Sequence, residues 1–341
     1  MAIIEHLIVN EWGAFIGKYS GRLKVTKKGE TLEQAPLLHL KSVLISNRGV
    51  SVSADAVREC AERGIPIYYT GSTGKAYAML YSAGLTGTIA TRRAQILAYE
   101  SERGFSVARA FAQGKVRNQA NLLKYMVKNY KSRDPELFQE VRNFATEVQE
   151  HETDLAKIQA TRIDEVREQM LGIEGRAAQR YWAGIKLLLR VDLEWPGRQT
   201  RGAGDIFNQA LNYGYGVLYG QVERALLLAG LDPYGGFLHA DRPGKPSLVL
   251  DFIEEFRQQV VDRTVIGVIN MGKELKLREG GKLDKKTTRL LAKRVLERLD
   301  AKVQYEGKRH RLGAVLQMQA RHLATFLRGE RQQYEAFVAS W

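Results

Sequence analysis

A change of hydrophobic period near residue 85 constrains this chain more than any other feature. Before it, short apolar runs alternate with turn residues: Leu7-Ile8-Val9, Ala14-Phe15-Ile16, Leu23-Lys24-Val25 and Val43-Leu44-Ile45. Gly13, Gly17, Gly21, Gly29 and Gly49 fall between them, as strands joined by tight turns require. One helix interrupts this part over 54–63, capped by Ser53 and stopped by Gly64. After the small-residue run Ser82-Ala83-Gly84-Leu85-Thr86-Gly87, the pattern is helical for about 100 residues with few breakers. Further helices are expected over 165–189, 205–229, 248–260, 262–271, 285–301 and 312–328. The fold expected is α+β in two domains. A small β-rich N-terminal domain, 1–82, is followed by a linker, 83–90, and a larger all-α domain, 91–341.

Composition removes several function classes. The single Cys60 excludes an internal disulfide framework and a Cys-rich zinc site. No apolar run reaches the ~18 residues of a membrane span, and the first residues lack the pattern of a secretory signal. A soluble protein of a reducing, cytoplasmic compartment is expected, with no membrane partner. The 52 Lys and Arg exceed the 38 Asp and Glu, for a net charge of +14. That excess suits either a solvated basic surface or a polyanion partner. Its distribution is blocky. Residues 86–133 hold ten basic and two acidic residues, 134–174 hold four and eleven, and 270–331 hold seventeen and seven. Such blocks make one face positive unless the helices fold back and intermix them.

Two glycine motifs carry no chemistry. Gly71-Ser72-Thr73-Gly74-Lys75 lacks the first glycine of a phosphate-binding loop, and Ala76 replaces its metal-binding hydroxyl, so a turn between strands is expected. Gly202-Ala203-Gly204 lacks the third glycine of a dinucleotide fingerprint. A different stretch stands out. His239 leaves the turn Gly235-Gly236, and an apolar helix begins near Ser247, carrying Asp251 and Glu254 three residues apart on one face. Two carboxylates in an apolar helix need a cation. Either a metal such as Mg2+ or Mn2+ supplies it, or Arg257 or Arg263 closes an ion bridge. Upstream, Glu174 lies in a helix among Gly172, Gly175, Ala177 and Ala178. Those small residues admit either a close helix neighbour or a substrate.

Taken in order, these stretches resemble the CRISPR-associated adaptation endonuclease/integrase family, the metal-dependent DNases that insert new spacers. The residues that carry the resemblance are Glu174-Gly175-Arg176-Ala177-Ala178 through Tyr181, Asn208-Gln209-Ala210-Leu211-Asn212-Tyr213-Gly214-Tyr215, Phe237-Leu238-His239, and Asp251-Phe252-Ile253-Glu254-Glu255-Phe256-Arg257. The resemblance spans nearly the whole chain. It implies Glu174, His239 and Glu254 as ligands of Mg2+ or Mn2+, with Asp251 in or beside the coordination shell as a fourth catalytic position. The implied reaction is attack of a DNA 3′-OH on a phosphodiester of the repeat array, or hydrolysis when water attacks. The implied partners are spacer and repeat DNA, a second copy joined through the β-rich domain, and a small ferredoxin-like adaptation subunit. Arg92, Arg93, Arg176, Arg180, Arg198, Arg201, Lys285, Lys286, Arg289, Lys293 and Arg294 are candidate DNA contacts. Two other readings are a non-catalytic helical DNA-binding protein, for which the basic blocks suffice, and a stand-alone metal-dependent nuclease.

Overall fold

The computed structural model describes residues 4–80, 89–191 and 193–340. The N-terminal part contains strands β1 (His6–Val9), β2 (Phe15–Tyr19), β3 (Arg22–Lys27), β4 (Glu30–Pro36), β5 (Ser42–Ile45) and β6 (Ser51–Val52). Helix α1 (Ala54–Glu62) and strands β7 (Ile67–Thr70) and β8 (Ala76–Leu80) follow. One sheet has the order β1-β5-β7-β8, with the first three strands parallel and β8 antiparallel at the edge. The other has the order β4-β3-β2-β6. Ser53 Oγ accepts from Ala56 N–H at 3.1 Å and caps α1 as its sequence suggests.

Alternation along the first sheet decides how the two parts of the protein meet. Leu7, Val9, Val43, Ile45 and Ile67 pack with Ile16, Leu23, Val25 and Cys60 in one core. Their neighbours Ile8, Leu44 and Tyr68 point the other way, into the core of the helical part. Parallel strands buried on both faces read as continuous apolar runs, as these do. Cys60 is buried, and burial pushes its thiol up to about 11, so it packs as an inert apolar group.

The helical part contains α2 (Ile89–Tyr99), α3 (Glu102–Val127), α4 (Pro135–Lys157), α5 (Arg167–Leu188) and α6 (Ile206–Leu228). After these come α7 (Ser247–Phe252), α8 (Arg263–Asn270), α9 (Lys285–Asp300) and α10 (Leu312–Leu327). Asp134, Asp205 and Asp284 cap α4, α6 and α9 through their carboxylates. Pro135 therefore opens α4 at its first turn. Of the expected linker 83–90, residues 83–88 lie outside the described residues, and Ile89 and Ala90 already belong to α2.

Two details depart from the all-α expectation. Short hairpins, β9 (Leu277–Arg278) with β10 (Lys282–Leu283) and β11 (Lys302–Tyr305) with β12 (Lys308–Arg311), lie within the helical part. The apolar run after Ser247 is also not one regular helix. A 3-10 turn, Ile253–Glu255, and a π turn, Gln258–Asp262, separate α7 from α8. The loop 71–75 is the expected turn, and it packs on α6. A Cβ on Gly216 would stand 2.3 Å from the Thr73 carbonyl oxygen and 2.4 Å from the Lys75 nitrogen, so only glycine admits this contact. No helix among the described residues is long and apolar enough to cross a membrane.

Candidate active site

Asp251, on α7, organises the loop that carries His239. One carboxylate oxygen accepts from the backbone N–H groups of Phe237 and Leu238 at 2.6 and 3.0 Å. The other accepts from His239 N–H at 2.8 Å and lies 2.6 Å from His239 Nδ1. Gly236 lets this loop lie against the start of α7, because a Cβ there would meet Ser247 Cβ at 2.6 Å. All the acceptor capacity of Asp251 is thus spent on the loop and the imidazole. Nδ1–H facing a carboxylate fixes the tautomer with Nε2 free as a ligand, the arrangement common behind metal-binding histidines.

Glu254, in the 3-10 turn, faces another direction. Its Oε1 pairs with Arg257 Nη1 at 2.8 Å, whereas the buried Oε2 has no close partner, only Lys115 at 3.4 Å. Arg263, the other arginine considered for an ion bridge, instead donates to Tyr125 Oη at 2.7 Å. Glu174, buried on α5, likewise has an unpartnered Oε1. Lys115, from α3, joins the two acids. Its ammonium lies 3.5 Å from Glu174 Oε2 and 3.4 Å from Glu254 Oε2.

The electrostatics of this cluster are unequal. Burial pushes the Glu174 carboxyl up, and Glu254 adds to that against the pull of Lys115. Burial would also raise Glu254, but Arg257 and Lys115 together hold it below the usual carboxylate range. Burial would lower Lys115, yet Glu174 and Glu254 keep it above its ordinary value and therefore charged.

The glycines around Glu174 are exposed on α5 and tighten no helix contact. A Cβ on Gly175 would meet nothing within 4 Å, and one on Gly172 only the Arg176 guanidinium. Gly172, Ile173 and the exposed Arg176 line a cavity of about 520 Å3. Gly175, Ala178, Trp182, Trp195 and Arg198 line another of about 480 Å3. Neither cavity is lined by Glu174, His239 or Glu254.

The structure disperses the candidate DNA contacts. Arg92 and Arg93 are exposed on α2, and Arg201 is exposed in the loop before α6. Arg180 pairs with Glu147 and covers the Phe144 ring. Arg198 ties its loop to α6 through Asn208 and Asn212. Lys285 and Arg289 of α9 reach Glu11 and Glu33 of the sheet-rich part, and Lys293 and Arg294 pair with Glu297. Lys286 is exposed on α9. Sequence reasoning missed Lys115, one of ten basic residues in its block. It also missed the buried Asp262, which accepts from Tyr181 and Tyr215.

The residues fit a divalent cation in donor type: two carboxylates and one imidazole, with Glu174 Oε1 buried without a partner and Glu254 Oε2 met only by Lys115 at 3.4 Å. Among the described residues, no three His, Cys, Asp or Glu side chains converge on one point as placed, and Lys115 bridges the two glutamates.

Residues 7–296 match the family model described as CRISPR associated protein Cas1. The chain is 37% identical to CRISPR-associated endonuclease Cas1 1 of Archaeoglobus fulgidus, over 98% of this chain and 99% of that protein. Its fold is similar to that of a casposase bound to integration product, with a TM-score of 0.82 at 24% identity, covering 97% of this chain and 93% of that one. It is also similar to a chain of a Cas6-RT-Cas1–Cas2 complex, with a TM-score of 0.73 at 19% identity, covering 97% of this chain and 36% of that one. This chain belongs to the Cas1 family of CRISPR-associated proteins.

Proposed function

We propose that this protein is a metal-dependent DNA endonuclease and integrase of CRISPR adaptation, with Glu174, His239 and Glu254 as ligands of Mg2+ or Mn2+. One observation carries this reading. Two buried glutamates from separate elements face one another across Lys115, Glu174 keeps an oxygen without a partner, and Asp251, three residues before Glu254, orients the His239 imidazole. A bound divalent cation supplies polarisation of the scissile phosphate and stabilises charge on the entering and leaving oxygens. The chain's own residues do the rest. Asp251 keeps the proton on Nδ1 of His239 and leaves Nε2 as a donor atom. Arg257 holds Glu254 ionised and in place. Arg176, exposed beside Glu174, adds positive charge where a phosphate backbone enters.

In strand transfer, the 3′-OH oxygen of a captured fragment bonds to a phosphorus of the repeat array. The bond from that phosphorus to the 3′ oxygen of the array strand breaks, and the leaving oxygen takes up a proton. With water as nucleophile the same displacement is cleavage. The partners in this reading are spacer and repeat DNA, a second copy docked through residues 1–82, and a small ferredoxin-like subunit, in a cytoplasmic setting. The Cas6-RT-Cas1–Cas2 and casposase structures support DNA and a second Cas protein as partners.

Strand joining is measured with a fragment bearing free 3′-OH ends, a repeat-bearing plasmid and the partner subunit. Glu174→Ala and His239→Ala are expected to abolish metal-dependent joining while DNA affinity persists. Unchanged joining in both variants refutes the site. Hydrolysis without joining by the wild type favours a stand-alone nuclease instead.

A further inference from the structure

We propose that Lys115 is a resident cation occupying the seat of the divalent metal, so that metal entry is an exchange of one cation for another. This inference rests on the metal-site reading above and deepens it. The Lys115 side chain is about 15% exposed, and Glu174 and Glu254 are the acids it contacts. Its contacts of 3.4 and 3.5 Å are long for an ammonium on a carboxylate, where about 2.7–2.9 Å is usual. The gap between the glutamates is therefore wider than one ammonium closes well. Glu174 also keeps a buried Oε1 with no partner, and Glu254 Oε2 has only the long contact with Lys115.

Arg257 serves as the comparison within the same cluster. It holds Glu254 Oε1 at 2.8 Å, a well-formed ion pair, and leaves Oε2 to Lys115. Arg257 is thus the permanent partner of Glu254, and Lys115 is the replaceable one. A resident cation has a clear purpose here. Two buried carboxylates with neither metal nor lysine would leave negative charge in a low-dielectric site, at a large cost in stability. Lys115 keeps the metal-free protein folded around a preformed acid pair. It also repels an incoming dication at short range, which sets a ceiling on metal affinity.

The test is calorimetric titration with Mn2+ alone, on the full chain and its Lys115→Met and Lys115→Arg variants. Thermal unfolding is followed with chelator and with saturating Mn2+. Lys115→Met is expected to bind Mn2+ at least about tenfold more tightly than wild type, because the competing charge is gone. Its metal-free melting temperature falls, and its gain on Mn2+ saturation exceeds that of wild type. Lys115→Arg is expected to bind at least about tenfold more weakly, because a guanidinium fork fills the gap between two carboxylates. If Lys115→Met does not fold without metal, Lys115→Arg against wild type decides the matter. Affinities within twofold of wild type in the folded variants, with equal losses of stability with and without Mn2+, overturn the proposal and leave a merely structural ion bridge. No Mn2+ binding by wild type or either variant overturns the metal-site reading and this proposal with it. Binding by Lys115→Met alone supports the exchange.

Discussion

Replacing Asp251 with Asn tests the support of the histidine at almost constant volume. The carboxylate faces four donors: three backbone N–H groups at 2.6, 3.0 and 2.8 Å, and the ring Nδ1 at 2.6 Å. An amide retains one acceptor oxygen and presents an N–H2 group at the other end. If the oxygen stays toward Phe237 and Leu238, the amide nitrogen faces His239 N–H and Nδ1. The ring must then put its proton on Nε2, and the ligand atom is lost. If the amide flips, two buried N–H groups of the loop lose their acceptor. Hydrogen bonds to a charged group contribute about 1.5–3 kcal/mol each, so losing two destabilises the fold by about 3–6 kcal/mol. Loss of a carboxylate behind a metal-binding histidine costs about 10–100-fold in metal affinity. Urea unfolding reads the first quantity and Mn2+ titration the second. An Asp251→Asn protein that unfolds at the wild-type urea midpoint and binds Mn2+ within twofold of wild type refutes the role assigned to Asp251.

Three further outcomes follow from the packing. Burial pushes Asp262 up from 3.8 to about 6, against the pull of the Tyr181 and Tyr215 hydroxyls and of Arg198 and Arg257. With its folded pKa raised, its contribution is fully present below about pH 3.8 and is lost as pH rises through about 6, for a swing of about 3 kcal/mol. The stability of wild type relative to Asp262→Asn should therefore fall by about that amount across this window in denaturant melts, and a pH-independent difference would contradict it. Gly216→Ala gains up to about 1 kcal/mol of helix propensity, but drives a methyl into the backbone of Thr73 and Lys75. The net outcome expected is a loss of about 1–3 kcal/mol by thermal unfolding, and any gain in stability would show that the 71–75 turn yields freely. Buried Glu255 anchors the C-terminal segment by accepting from Phe337 N–H at 2.7 Å, Gln319 Nε2 at 3.1 Å and the Tyr334 hydroxyl. Glu255→Ala should raise hydrogen exchange at Phe337 and Ala339 well above the protein average, and unchanged protection there would show that apolar packing alone holds the segment.

The change of period near residue 85 and the cap Ser53 with its stop Gly64 made most of the architecture readable, because these signals are local. The misses share a different origin. The break of the helix after Ser247 was hidden because the segment is buried on every side. Apolar periodicity cannot report a change of hydrogen-bond register from α to 3-10 to π. The hairpin β11–β12 turns at Glu306 and Gly307, both at positive φ, but only the four residues of β11 alternate and β12 is basic throughout. At the site, the spacing of Asp251 and Glu254 placed both acids on one face. It did not show that Asp251 is consumed by the 237–239 loop while Glu254 turns toward α3. Lys115 had no local signal, since both of its acid partners lie far along the chain. Charge blocks proved a weaker guide: Lys285 and Arg289 pair with acids of the sheet-rich part, so part of the basic excess holds the protein together.

Anomalous diffraction from a crystal of the full chain soaked in Mn2+ tests the central claim most directly. The expected result is one strong peak bonded to Glu174, His239 Nε2 and Glu254, with the Lys115 ammonium moved away and Asp251 still holding Nδ1. Peaks only elsewhere, with Lys115 still bridging the two glutamates, would contradict it.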